Sequence, residues 1–181
     1  MKSWQKYRKA IIGTLGAFGI WLAAIMSFQP DVPPANLPLW NSGINEWTLT
    51  NNCKTSVTVS GVTYTVTIKE GFKTDGASIP EVLAAPLGLT RDSPAIIRGA
   101  LIHDAIYASE LLDRQTADSI LYAACLNDGM APEKALAVWK AVREWGFVAW
   151  DRHTDESVST ARTKVEVHTT SRTRYSSSRY R

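Results

Sequence analysis

His103 and Asp104 stand side by side in Ala100-Leu101-Ile102-His103-Asp104-Ala105-Ile106-Tyr107, with apolar residues on both flanking turns. Carrying two ionisable groups into or beside a core is costly unless they are paired or hold a metal. Tyr107 follows His103 by one helical turn, on the same face. Asp118 lies further on, within Arg114-Gln115-Thr116-Ala117-Asp118. A helical hairpin would set Asp118 against His103 and fix its tautomer. His103 would then serve as general base, with Asp118 orienting it and Tyr107 beside them. Asp104 projects about 100° away and suits a hard cation held with oxygens of loop 74–78, Asp75 among them. A bland alternative stays open. The same residues, with Arg114 and the loop supports Thr74, Gly76 and Ser78, also suit a buried network that joins two helices to a loop and does no chemistry.

These groups must be held by elements whose signals are local. Val57 and Val59, then Val62, Tyr64, Val66 and Ile68, alternate with polar residues on either side of Ser60-Gly61, which predicts a β-hairpin. Residues 70–80 form a compact loop with two glycines. Ser93-Pro94 predicts a helix start, with an apolar face at Ile96, Ile97, Ala100, Leu101 and Ala105 across 95–112. Asp113 caps a second helix over 114–127. Pro132 opens a third, running from 133 to about 150, with Leu136, Trp139, Val142 and Trp145 at helical spacing. The expected fold class is α+β, a small antiparallel sheet followed by three helices over residues 40–152.

The ordered series Gly71-Phe72-x-Thr74-Asp75-Gly76-Ala77-Ser78-Ile79-Pro80, His103-Asp104-x-x-Tyr107 and Arg114-x-x-Ala117-Asp118 resembles a bacterial and phage family known as domain of unknown function family 1353, over about residues 45–150. That resemblance implies a phage or prophage origin and brings no established activity. The His-Asp-x-x-Tyr pattern with an Ala-Asp on the next helix also looks like the catalytic helices of phospholipase A2 enzymes. By that likeness His103 activates water, Asp118 orients His103, and Asp104 binds Ca2+. The chain departs from the pattern in its loop, since Thr74-Asp75-Gly76 lies well upstream of His103 whereas the phospholipase calcium loop is nearer.

The ends have a different character. Residues 10–28 carry no charge, and as a helix they would span roughly 28 Å, about one hydrocarbon core. Lys2, Lys6, Arg8 and Lys9 precede them, with Trp4, Tyr7 and Trp21 as interfacial anchors. The stretch is longer than the apolar core of a cleaved signal peptide. Residues 1–29 therefore read as an uncleaved single-pass anchor, with the N-terminus cytoplasmic and the rest extracytoplasmic at the host inner membrane. Gly13-x-x-x-Ala17 offers a close-packing face for a homo-oligomer, although glycine is also simply common in membrane helices. Four prolines in the stretch 30–39 predict a semi-rigid linker.

Residues 153–181 are expected to be a flexible basic tail. From 168 to 181 there are seven Ser or Thr and four Arg but no Leu, Ile, Val or Phe, too little apolar area to offset ordering entropy. Such a tail suits anionic lipid or lipopolysaccharide. An extracytoplasmic position argues against nucleic acid. Because head and tail are basic while the whole chain is only +3, the middle is acidic. Two cysteines exclude a disulfide-rich scaffold and a four-thiolate zinc site. Cys53 and Cys125 either pair or sit apart as small buried groups. The function expected from these readings is a membrane-tethered, Ca2+-dependent hydrolase of phospholipid esters, or else a non-catalytic envelope or virion protein.

Overall fold

Ser60 (φ 50°) and Gly61 (φ 83°) both take the left-handed conformation, and the chain reverses there within two residues. This is the hairpin turn whose twist matches that of the flanking strands. In the computed structural model, which describes residues 37–43, 46–79 and 81–171, the turn joins β3 (Cys53–Val59) to β4 (Val62–Ile68) as the predicted hairpin, with Val59 opposite Val62. Cys53, Val57, Val66 and Ile68 point inward and are buried. A smaller antiparallel sheet precedes and follows the hairpin: β1 (Leu39–Gly43), β2 (Glu46–Leu49) and β5 (Lys73–Thr74), in the order β1-β2-β5. Strand β5 delivers Thr74 to the base of the loop 74–79.

Helix α1 (Glu81–Leu87) was not expected from the sequence. The next three helices were. They are α2 (Pro94–Ser109), α3 (Arg114–Asn127) and α4 (Pro132–Trp145), followed by the single turn α5 (Phe147–Trp150). Asp113 caps α3 as predicted, its Oδ1 accepting the Thr116 amide at 3.0 Å. Bonds from Thr116 hold the Asp113 carboxyl below the usual range. Ser93 occupies the cap position of α2 but does not cap it; its hydroxyl accepts the Thr90 amide instead. Helix α2 stops at Ser109 rather than 112, because Glu110 turns left-handed (φ 49°).

Eleven of the sixteen α2 residues are buried, His103 among them. A helix buried nearly all round is a central helix. On one side its Leu101, Ile102, Ala105 and Ile106 join Val57, Val66 and Ile68 of the sheet. On the other, Ile96 and Ala100 join Leu121, Ala135 and Val138. Gly99 lets α2 and α3 approach closely, since a Cβ there would lie 3.0 Å from Leu121 and 3.2 Å from Ala124. The expected apolar face of α4 needs correction. The buried positions are Ala135, Ala137, Val138 and Ala141, whereas Leu136, Trp139, Val142 and Trp145 are half-buried. Small residues permit the tighter contact, and the large ones line cavities.

The expected flexible tail also needs correction. Thr154 and Ser157 form a reciprocal capping box that starts α6 (Asp155–Arg162). Strand β6 (Val165–Ser171) then pairs antiparallel with β4 along its whole length, Ile68 opposite Val165 and Val62 opposite Ser171. Val165 and Val167 alternate with Glu166 and His168, and that period seats the strand on the core. The sheet order is β3-β4-β6, and the folded unit reaches Ser171.

The apolar stretch 10–28, most of the linker, and residues 172–181 lie outside the described residues. Among the described residues no helix is long and apolar enough to cross a membrane. Cys53 and Cys125 are both buried free thiols in different core clusters. Burial pushes the Cys125 thiol up to about 12.

Candidate functional site

Helices α2 and α3 form the anticipated hairpin, and it brings Asp118 onto His103. Asp118 is fully buried. Its Oδ1 lies 2.8 Å from His103 Nε2 and accepts the Tyr107 hydroxyl at 2.6 Å. Its Oδ2 accepts from Arg143 NH1 at 2.7 Å, with Arg114 NH1 at 3.8 Å. Arg114 itself donates to the carbonyls of Val142 and Arg143. His103 and Tyr107, with Arg114 as support, therefore converge on the carboxylate of Asp118, the third residue assigned to chemistry.

The charges follow from these partners. Burial alone would raise the Asp118 carboxyl, but bonds from His103, Tyr107 and Arg143 outweigh it and hold the group below the usual range. Burial likewise works against a charged His103, yet Asp104 and Asp118 prevail and raise its pKa above the ordinary value. Burial, with Asp118 adding to it, raises the Tyr107 phenol strongly, so Tyr107 stays a neutral donor. With Asp118 ionised, Nε2 of a neutral His103 must carry the proton it shares with Oδ1. Nδ1 then holds the lone pair. Its neighbour is Asp104 Oδ1 at 3.9 Å, beyond direct hydrogen-bond reach.

The loop side is a second constellation. Thr74 donates to Asp104 Oδ2 in a short hydrogen bond and accepts the Gly76 amide at 3.0 Å. Gly76 has φ 70°, and a Cβ there would sit 2.7 Å from the Arg91 carbonyl and 3.1 Å from the Trp47 ring. Only glycine fits. Ser78 donates to Asp75 Oδ2, and Arg91 NH1 reaches Ser78 Oγ at 2.9 Å and Asp75 Oδ2 at 3.4 Å. Burial raises the Asp104 carboxyl, with His103 and Thr74 pulling it back only in part.

Residues of both constellations line one cleft of about 560 Å3. His103, Asp104 and Tyr107 lie along it with Thr74, Asp75 and Ser78, and its wall includes Phe72, Ile96, Leu121, Val138 and Trp145.

The family described as Protein of unknown function (DUF1353) matches residues 47–142, more than half of the chain. The chain belongs to that family. The span that DUF1353 covers runs from β2 into α4 and holds Thr74, Asp75, His103, Asp104, Tyr107 and Asp118. No curated protein and no solved structure matches. The DUF1353 match stops one residue before Arg143, so the arginine that completes the Asp118 site lies outside it.

Sequence reasoning missed Arg143 and Gly146. Arg143 sat unremarked within the third helix, because no local pattern ties α4 to Asp118. Gly146 ends α4 where a Cβ would clash with the Val142 carbonyl and lie 2.6 Å from the Tyr107 hydroxyl. A glycine inside a helical stretch was the available signal.

The donor set does not suit Ca2+, which takes six to eight oxygens. Among the described residues no group of three or more His, Cys, Asp or Glu could hold a metal. Asp75 faces the Arg91 guanidinium, and one Asp104 oxygen is taken by Thr74. Asp104 and Asp75 border one cleft without forming a cage.

Proposed function

We propose that the His103–Asp118 centre is the acid–base machinery of an acyl-ester hydrolase, with phospholipid ester as the substrate class. The observation that carries this reading is the placement of the His103 ring. One nitrogen is anchored on a buried carboxylate, and the other has no direct bond beside an apolar-walled cleft. A structural histidine has no need of such asymmetry. A general base oriented by a carboxylate does.

In the reaction, a water oxygen attacks the ester carbonyl while His103 Nδ1 takes its proton. The tetrahedral intermediate collapses, the ester C–O bond breaks, and Nδ1 returns the proton to the departing alkoxide. The products are a carboxylic acid and an alcohol. Asp118 remains ionised and stabilises the imidazolium through Nε2–H. Tyr107 and Arg143 fix the carboxylate, and Asp104 lends negative charge on the Nδ1 side. No step uses a metal. The uncharged stretch 10–28 supports action at a bilayer, where such esters are found, with the domain on the extracytoplasmic side.

A second reading has its own support. Every oxygen of Asp118 is satisfied within the protein, as in a structural clamp joining α2, α3 and α4. Substituting His103→Gln separates the two. The hydrolase reading expects ester hydrolysis by the full-length protein in lipid vesicles to fall by about 10²–10⁴ with little change in melting temperature. Hydrolysis that persists in the variant overturns it, as does a wild-type protein that hydrolyses no ester. A large loss of stability alone would leave the clamp.

A further inference from the structure

Among the described residues, the cationic side chains around the cleft have an anionic, hydroxyl or carbonyl partner, with Arg152 as the exception. Arg143 is held by Asp118 and Arg114 by the Val142 and Arg143 carbonyls. Arg91 is held by Asp75 and Ser78. Lys73 Nζ lies 3.0 Å from Glu46 Oε1. Arg152 also lines the cleft and is exposed, and its guanidinium has no hydrogen bond or ion pair among the described residues.

The guanidinium is free, but the backbone beneath it is bolted down. The amides of Arg152 and His153 donate to the carbonyls of Ala149 and Trp150, both at 3.2 Å. His153 Nδ1 lies 3.0 Å from Glu110 Oε1, just past the end of α2. Trp150 packs edge-on against the Tyr107 ring at 5.0 Å. The turn that carries Arg152 is thus fixed to the helix that carries His103. An unpaired guanidinium at the rim of an apolar-walled cavity selects a ligand with two ends, one apolar and one anionic. Of the carboxylates along the cleft, Asp75 is paired with Arg91 and Asp104 is bonded by Thr74, so neither is taken up by Arg152.

We propose that Arg152 is the specificity-determining contact of the cleft, and that the ligand is an amphiphile whose headgroup bears a negatively charged phosphate. The inference takes the reaction from the hydrolase reading but stands on binding alone.

Two measurements on the full-length protein in neutral-detergent micelles test it. In the first, octyl phosphate, octyl glucoside and inorganic phosphate are titrated calorimetrically. Octyl phosphate should bind the wild type most tightly and lose about tenfold or more in Arg152→Glu, with a smaller loss in Arg152→Gln. Equal affinity in wild type and both variants overturns the proposal. So does inorganic phosphate binding as tightly as octyl phosphate, which would mark an anion site without a chain. In the second, hydrolysis of dihexanoyl phosphatidylglycerol and dihexanoyl phosphatidylcholine is compared. The wild type should prefer the anionic ester, and Arg152→Glu should raise KM for it by about tenfold while kcat holds. A wild type that prefers the zwitterionic ester, or an Arg152→Glu loss confined to kcat, counts against the proposal. If neither ester is cleaved while Arg152-dependent octyl phosphate binding persists, the hydrolase reading falls and this one stands.

Discussion

Helices α2 and α3 are joined by two ionic centres, one at Arg98 and one, lining the cleft, at His103. At Arg98 the guanidinium clasps Asp128 from Nε and NH2, at 2.8 to 3.0 Å, and sends NH1 to Thr55 Oγ1 at 3.0 Å. Helix α2, the end of α3 and strand β3 are pinned together. A guanidinium stays charged at any working pH and has no lone pair to offer, so this centre can only clamp. At His103 the same helix pair instead buries an imidazole, a group that can take up and release a proton. Its second nitrogen has no direct partner beside the cleft. Burial and a carboxylate partner are common to both centres. Chemistry requires in addition an atom that can change its proton and reach solvent.

The largest effect that would sharpen this contrast is at Asp118. Asp118→Ala leaves His103, Tyr107 and Arg143 facing a void, and chemical denaturation should show a loss of about 3–5 kcal/mol. A loss well under 1 kcal/mol would mean that the centre is not the keystone described. Next comes Arg98→Met, for which about 1–3 kcal/mol of stability should be lost with ester hydrolysis retained. If hydrolysis disappears there while the protein stays folded, the division into clamp and chemical centre is broken. Tyr107→Phe removes one of the three direct donors to Asp118 and should cost about 1 kcal/mol, read as a shift of a few degrees in melting temperature.

The smallest effects concern pH. His103 must be neutral to accept a proton, so the rate should climb as pH rises through its raised pKa, above the ordinary value of about 6.5. Asp104→Asn removes a carboxylate that favours the imidazolium and should move that midpoint down; an unmoved midpoint would show that Asp104 does not act on the ring. Stability should run the other way. A raised histidine stabilises the fold fully below about pH 6.5, and its contribution fades as pH rises through the folded value. Asp118, lowered in the fold, stabilises above its ordinary value of about 3.9 and loses that contribution as acid carries the pH through the lowered one.

Much of the scaffold was legible because its signals are local. The Ser60-Gly61 turn, the Asp113 cap and the apolar period of α2 each depend on residues within a few positions of one another. The pairing of His103 with Asp118 was also within reach, because a short helical hairpin leaves few ways to place two polar groups among apolar neighbours. Strand β6 was less legible. Its partner β4 lies about a hundred residues earlier, and Thr169, Thr170 and Ser171 carry no apolar signal of their own. The side of α4 that meets Asp118 was hidden for the same reason, since Arg143 has meaning only against α3.

The amino-acid order by itself determined which residues can exchange protons, where the β3–β4 hairpin turns and the three central helices lie, and that the stretch 10–28 is uncharged. Tertiary structure alone decided that Nε2 rather than Nδ1 meets Asp118, that Arg143 closes the site from a third helix, and that Arg152 stands unpaired at the rim. The physical reason is range. Backbone propensity and periodicity act over a few residues, whereas hydrogen bonds and ion pairs depend on distances that only packing sets.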